Sequence, residues 1–325
     1  MNTFARFAAL AIALLAASVA SAQGFPTRPI KIVIGFGAGG STDSIGRYYA
    51  AKLAEVLKSP VVFENKPGAG QLVAINSLKA AAPDGYTLYI GTGSSLSQAP
   101  GVRADLPYDP LKDFTLVSLV ATIPGVLVVS PSLPVHTVRD LVKYSRANPD
   151  KLNYGSSGVG SASHMQTEYM IAVTGMKMTH IPLKADIDIM REMASGTVHL
   201  GIGPLQGVVP FIQSGRVRAL VVTSAHRVKA LPDVPSLPEA DYKELAGIDP
   251  YTYYGLVGPI GLPASVVTIL NEATTRVTKM PEAIALLRDR MHAEWAGGST
   301  ESFRNFIAED IAKWRTVRSR IKLGD

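Results

Sequence analysis

The chain has 325 residues, of which 47% are hydrophobic and only 18% charged, enough apolar material for sizeable cores and incompatible with a mostly disordered chain. It contains no cysteine, which excludes thiol catalysis, thiolate metal ligation and disulfides together. The net charge of +6 comes from 32 basic against 26 acidic side chains spread without a basic block, so nucleic-acid binding is not expected and only a modest preference for anions is.

Residues 1–22 differ in kind from the rest. Arg6 is their only charge, Ala8 to Ala20 is an apolar run, and Ala20-Ser21-Ala22 places small residues where a signal peptidase cuts. The pattern predicts a signal peptide over 1–22, removed ahead of Gln23; the run falls short of the about 20 residues a spanning helix needs. The expected product is soluble and exported.

Past Pro26 and Pro29, Ile30 to Ile34 reads as a strand covered on both faces. Glycines follow, then a helix over Ile45 to Leu57 with Ala50, Leu53, Ala54 and Leu57 on one side. Val61 to Phe63 is the next strand, Pro67-Gly68-Ala69-Gly70 turns into a helix over 71–81, and Tyr86 to Ile90 is a third strand. A second unit begins near Gly125. Val126 to Val129, Leu152 to Tyr154, Thr179 to Ile181, Val198 to Ile202 and Ala219 to Thr223 read as strands, alternating with helices over 138–147, from after the Gly155 to Ser161 loop to about Val173, 186–195 and 205–214. Thr137 and Asp140 have the spacing of a capping box for the first of these helices. After a Pro- and Asp-rich passage, Tyr253 to Val257 is a strand, and helices over 264–278, 281–290 and 300–319 finish the chain. These last helices have no sheet of their own, so the chain is expected to return to its first unit. The prediction is an α/β fold of two lobes, each a sheet flanked by helices, with a ligand cleft between them: residues 23–124 with 253–325 form lobe one and 125–252 lobe two.

Gly35, Gly37 and Gly40 match G-x-G-x-x-G, with Glu64 at the position of a ribose-binding acid. Export, an acid at Asp43 in the first helical turn and a second glycine-rich loop straight after Glu64 all argue against a dinucleotide. What the loop offers is backbone: Gly39, Gly40, Ser41 and Thr42 sit at a helix start, where unpaired N–H groups and the positive end of the dipole converge. Thr42 and Asp43 each have two possible roles there, as helix cap or as ligand contact. Ser156, Ser157, Gly158 and Gly160 repeat the arrangement in the second unit. Neither loop carries Lys or Arg, and facing sets of neutral donors suit a carboxylate. Phe36 follows its strand toward the same cleft. Ser156 or Ser157 with His164 would be the nucleophile pair of a hydrolase, but the window lacks the last glycine of G-x-S-x-G, so no catalytic residue is assigned. His164 is either a helix-face residue or a cleft hydrogen-bonder. His136, His180, His199, His226 and His292 form no close-spaced pair, so no metal and no cofactor are expected.

Several ordered blocks resemble one family along nearly the whole chain after residue 22. They are Ile34-Gly35-Phe36 through Gly40-Ser41-Thr42-Asp43, Glu64-Asn65-Lys66-Pro67-Gly68-Ala69-Gly70, Pro83-Asp84-Gly85-Tyr86-Thr87-Leu88, Leu106-Pro107-Tyr108-Asp109 with Asp113-Phe114, Asn153-Tyr154-Gly155-Ser156-Ser157-Gly158 with His164, Gly215 to Leu220, and Leu231 to Pro235. The chain resembles the substrate-binding proteins of tripartite tricarboxylate transporters, the Bug receptors. The resemblance implies a periplasmic binding protein of the type II-like fold. Such a receptor is monomeric, closes around a small organic acid without catalysis, and delivers it to membrane permease subunits. It places the clamp at Phe36, Gly37, Ala38, Gly39, Gly40, Ser41 and Thr42, at Ser156, Ser157, Gly158, Gly160 and Ser161 with His164 beside them, and near Ser94 and Ser95. An exported sensor, presenting the same bound acid to a membrane regulator, is the alternative. Departures from the family pattern are as telling. Ile181-Pro182-Leu183-Lys184-Ala185-Asp186 stands where Val-Pro-Tyr-Lys-Gly-Gly is usual, Gly35 where proline is common, and Gln71 where glycine is usual. Leu183 and Asp186 are thus expected to set which acid is accepted, leaving aromatic acids and dicarboxylates open.

Overall fold

The computed structural model describes residues 24–321 apart from 150, 241 and 250. The expected signal peptide lies outside these residues.

Strand β1 (Ile30–Ile34) has every residue but Lys31 buried, as a central parallel strand requires, and pairs in parallel with β2 (Val61–Asn65) and β3 (Thr87–Thr92). Helix α1 spans Ser41–Leu57. It starts four residues before the apolar pattern does, because its first turn, Ser41-Thr42-Asp43-Ser44, is polar and carries no periodicity. Helix α2 (Leu72–Lys79) follows the Pro67 to Gly70 turn, β3 runs into a short π-helical turn at Ser94–Gln98, and two single-turn helices, α3 (Ala99–Val102) and α4 (Pro110–Asp113), lead into β4.

Strand β4 runs over Phe114–Val129, far longer than the Val126 to Val129 segment legible in the sequence. Register shifts between Leu116 and Ser118 and between Leu119 and Ala121 break its two-residue alternation, which hides the first half. Up to Pro124 it pairs with β9 (Tyr251–Pro259), and β10 (Glu294–Trp295) adds to its other edge, so the first sheet reads β2-β1-β3-β9-β4-β10. From Gly125 the same strand pairs with β7 (Leu200–Pro204) on one side and, from Val126, with β8 (Arg218–Val222) on the other. β5 (Asn153–Ser156) and β6 (Thr179–Pro182) complete the second sheet, which reads β8-β4-β7-β5-β6.

Helices cover both sheets. The Thr137–Asp140 capping box forms at the start of α5 (Val138–Ala147), and α6 (Ala162–Thr174), α7 (Asp186–Ser195) and α8 (Leu205–Gln213) follow β5, β6 and β7. The C-terminal helices α9 (Ala264–Thr278), α10 (Pro281–Arg290) and α11 (Thr300–Val317) return to the first sheet. α9 lies on α1, where the Tyr49 and Thr274 hydroxyls hydrogen-bond at 2.7 Å, and α11 seats Phe303, Ile307 and Ile311 against Tyr89, Leu116 and Val257.

Where the chain crosses back, Asp249 is gripped from the first sheet's side. Gln98 Nε2 donates to it at 2.7 Å and Trp314 Nε1 at 3.2 Å, and Lys313 pairs with both Asp249 and Asp310. Among the described residues no helix is long and apolar enough to cross a membrane.

Candidate ligand site

Two glycine loops face one cavity. In the first, Gly39 takes a left-handed φ of +89° and Gly40 caps α1 in extended geometry, with no side chain spent on the cap. The N–H groups of Ser41, Thr42 and Asp43 precede the first helical bond, from Ser44 N–H to Gly40 O. Asp43 turns back from the ligand side. Its carboxylate accepts from Gly39 N–H at 3.0 Å, Asn65 Nδ2 at 2.8 Å and Arg47 Nε at 2.9 Å. Asn65 Nδ2 also donates to Phe36 O at 3.0 Å, so one buried acid and one amide hold both ends of the loop. Burial works against the Asp43 charge, yet the bonds from Arg47, Gly39 and Asn65 hold its pKa below the usual value.

The second loop is held by neutral rings. Its glycines are left-handed at Gly158 (φ +108°) and Gly160 (φ +75°). Gly160 N–H donates to His164 Nδ1 at 3.0 Å, and Gly158 N–H to Ser156 Oγ at 3.2 Å. Ser156 Oγ lies 2.6 Å from Nε2 of His180, whose ring stacks on His164 at 4.1 Å and on Tyr154 at 4.8 Å. Burial, and the repulsion that protonating both His164 and His180 would bring, push the His164 pKa down to about 3, and burial lowers that of His180. The partner of Ser156 is thus His180, which the sequence suggested only as a strand residue; Ser156 itself is fully buried.

The cavity between the sheets is narrow, about 30 Å³, room for one or two waters. Phe36, Thr42, Thr92, Ser94 and Tyr254 line it from the first sheet. Ser157, Ser163, Gln166 and Asp186 line it from the second, and Gly125 and Thr252 mark the crossing strands. Among the lining residues there is no Lys or Arg, and Asp186 is the one charged side chain. The Tyr254 hydroxyl hydrogen-bonds Thr42 and feels the Asp186 charge across the cleft.

Five residues singled out from the sequence therefore line the cavity: Phe36, Thr42, Ser94, Ser157 and Asp186. Gly37, Ala38, Gly39, Gly40 and Ser41 form the adjoining loop, and Gly158 and Gly160 the opposite one. Ser95, Ser156, Ser161 and His164 are buried behind the lining; Ser161 caps α6 by accepting from His164 N–H. Leu183 also lies outside the lining. Its N–H donates to Ser156 O at 2.8 Å and its side chain packs on the core.

Sequence reasoning missed Thr92, Ser163, Gln166 and Tyr254. It also treated Gly35 and Gln71 as separate departures, whereas they are packed together. A Cβ on Gly35 would lie 2.5 Å from Gln71 Cβ, so Gln71 fills the room that glycine leaves. Gln71 sits at φ +75°, donates from Nε2 to Ser94 Oγ at 2.8 Å and accepts from Tyr89 at 2.8 Å, which orients a hydroxyl of the cavity wall.

Among the described residues no group of three His, Asp or Glu is gathered for a metal ion. A family model described as the tripartite tricarboxylate transporter family receptor matches residues 45–323. A UPF0065 protein of Bordetella pertussis is 33% identical over 98% of this chain and 97% of its own length, and protein BugT of the same organism is 29% identical over 98% and 97%. Among solved structures, a periplasmic transporter superposes with a TM-score of 0.85 at 33% identity, over 93% of this chain and 100% of its own. An R. palustris protein with adipate gives 0.84 at 34% identity over 91% and 98%. MatC from Rhodopseudomonas palustris with bound malate gives 0.83 at 28% identity over 90% and 100%. The two-lobe α/β fold is that of periplasmic binding proteins, and the chain belongs to the tripartite tricarboxylate transporter receptor family, a family of binding proteins rather than enzymes.

Proposed function

We propose that this chain is a periplasmic receptor that captures a small organic carboxylate between its lobes and delivers it to the permease subunits of a tripartite tricarboxylate-type transporter. The observation that carries this reading is the pair of neutral loops facing one cavity, with uncapped N–H groups of α1 on one side and hydroxyls on both. A carboxylate gains from several donors and from a helix N-terminus without needing a cationic side chain. Adipate and malate in two relatives support the same ligand class. Lobe one is read as residues 23–124 with 253–325 and lobe two as 125–252; the change of strand partners between Pro124 and Gly125 supports that division. The protein acts as a monomer, with the clamp at the two loops and with Leu183 placed to shape the second loop through its bond to Ser156.

Mass spectrometry of the gently purified periplasmic protein is expected to find a chain beginning at Gln23 and a released small carboxylic acid that is chemically unchanged on incubation. Recovery of full-length protein from the cytoplasm, or consumption of the acid, would sink the reading. Capture of permease subunits by the loaded protein separates delivery from a sensor role.

A further inference from the structure

Asp186 stands in the first turn of α7, on the second-lobe wall of the cavity. Its side-chain partner is the Ser157 hydroxyl, and burial pushes its carboxyl pKa up. The lining contains no Lys or Arg to balance it. Also lining the cavity from the second sheet, Gln166 is 2% exposed, and its Oε1 has no hydrogen-bond partner. One wall thus presents two acceptors, one of them ionisable, that call for a donor. The opposite wall presents donors: the first N–H groups of α1, the Thr42 hydroxyl, and the one proton that the mutually bonded Thr92 and Ser94 hydroxyls leave over.

A ligand with two carboxylates would bring the cavity to three carboxylates and no cationic side chain. Repulsion between like charges grows as the surroundings lose water, and an unpaired buried charge is costly. An ammonium group reverses both terms. We propose that this receptor takes a ligand bearing one carboxylate and one protonated amine, with the carboxylate at the start of α1 and the amine paired with Asp186 and Gln166 Oε1. The proposal rests on the carboxylate-receptor reading above and narrows it. Asp186 is then a specificity-determining residue.

The test is calorimetry near neutral pH, using the mature protein freed of endogenous ligand and pairs matched in length. These are γ-aminobutyrate against succinate, δ-aminovalerate against glutarate, and ε-aminocaproate against adipate, with α-amino acids against the corresponding deaminated monocarboxylates. The best amino compound should bind roughly tenfold to a hundredfold more tightly than its counterpart, the range for a hydrogen bond to a charged group. Asp186→Asn should erase that preference, and Asp186→Gly should turn it toward the dicarboxylate. If the wild type binds a dicarboxylate as well as or better than its amine analogue, the proposal is overturned while the carboxylate receptor stands; Asp186 would then act as a neutral donor to a second carboxylate. If no carboxylate of any kind binds, both readings fall. The wild-type ranking decides the matter even if a variant does not fold.

Discussion

The two loops that meet at the cavity are held in place by opposite physical means. The first is braced by ions and an amide: Asp43 is buried, but its partner Arg47 is half exposed, so the brace is open to screening by salt. The second is braced by uncharged imidazoles stacked beneath it, with a ring nitrogen accepting Gly160 N–H. One loop therefore answers to ionic strength and the other to acidity. The difference teaches that similar glycine spacing reports the shape of a binding loop, and not what keeps that shape.

The largest effect is expected from closing the loops with side chains. A Cβ on Gly40 would meet nothing within 4 Å, and its φ of −84° suits any residue. Gly40→Val should fold normally and weaken carboxylate binding by about tenfold or more, the loss of one or more charge-assisted hydrogen bonds. Gly158, at φ +108°, is different, because Gly158→Val should lose stability as well as affinity. Thermal melts paired with calorimetry would separate the two cases, and equal behaviour would erase the contrast between the loops.

A smaller effect is expected at the Gly35–Gln71 contact. Gly35→Ala forces a Cβ against Gln71 and should cost roughly 1–3 kcal/mol, the range for overpacking. Adding Gln71→Gly should recover most of that stability, because it removes the clash, while leaving Ser94 without its amide partner. A double-mutant cycle read by denaturant unfolding checks this, and simple additivity would show that the two positions are independent.

The smallest effect is the pH response of the second loop. Unfolded histidine titrates near 6.5, while His164 in the fold is held down to about 3. Between these values the unfolded chain binds more protons, so the contribution is fully present above about pH 6.5 and is lost as pH falls toward 3. The melting temperature should drop on acidification, by the equivalent of roughly 1–2 kcal/mol at about pH 5. His164→Gln should flatten the profile, and an unchanged slope would remove the histidine stack from the account.

Much of the fold was legible because local rules govern it. The buried run Ile30 to Ile34, the Thr137 capping box and the helices beginning at 264 and 281 all follow from neighbouring residues alone. The glycine loops were legible for the same reason. What stayed hidden depends on partners far along the chain. Tyr254 reaches Thr42 only because β9 returns between β3 and β4, and the first half of β4 is masked by its bulges. Gln166 looked like one more helix residue, and its place on the cavity follows from how α6 packs against β5 and β7. His180 lies on a strand whose neighbour supplies Ser156, a pairing that no spacing in the sequence announces.

The position of β9 also dictates the order in which the molecule can be completed. It hydrogen-bonds to β3 through Tyr89↔Val257 to Thr92↔Tyr254 and to β4 through Phe114↔Pro259 to Pro124↔Tyr251, filling the interior of the first sheet with a segment made late. Until residues beyond 250 emerge, both β3 and β4 present open strand edges toward each other, the kind of surface that pairs with strangers or with a holding chaperone. Contacts of such long sequence separation form slowly. A chain built this way stays unfinished until its last quarter, which would suit the export proposed above.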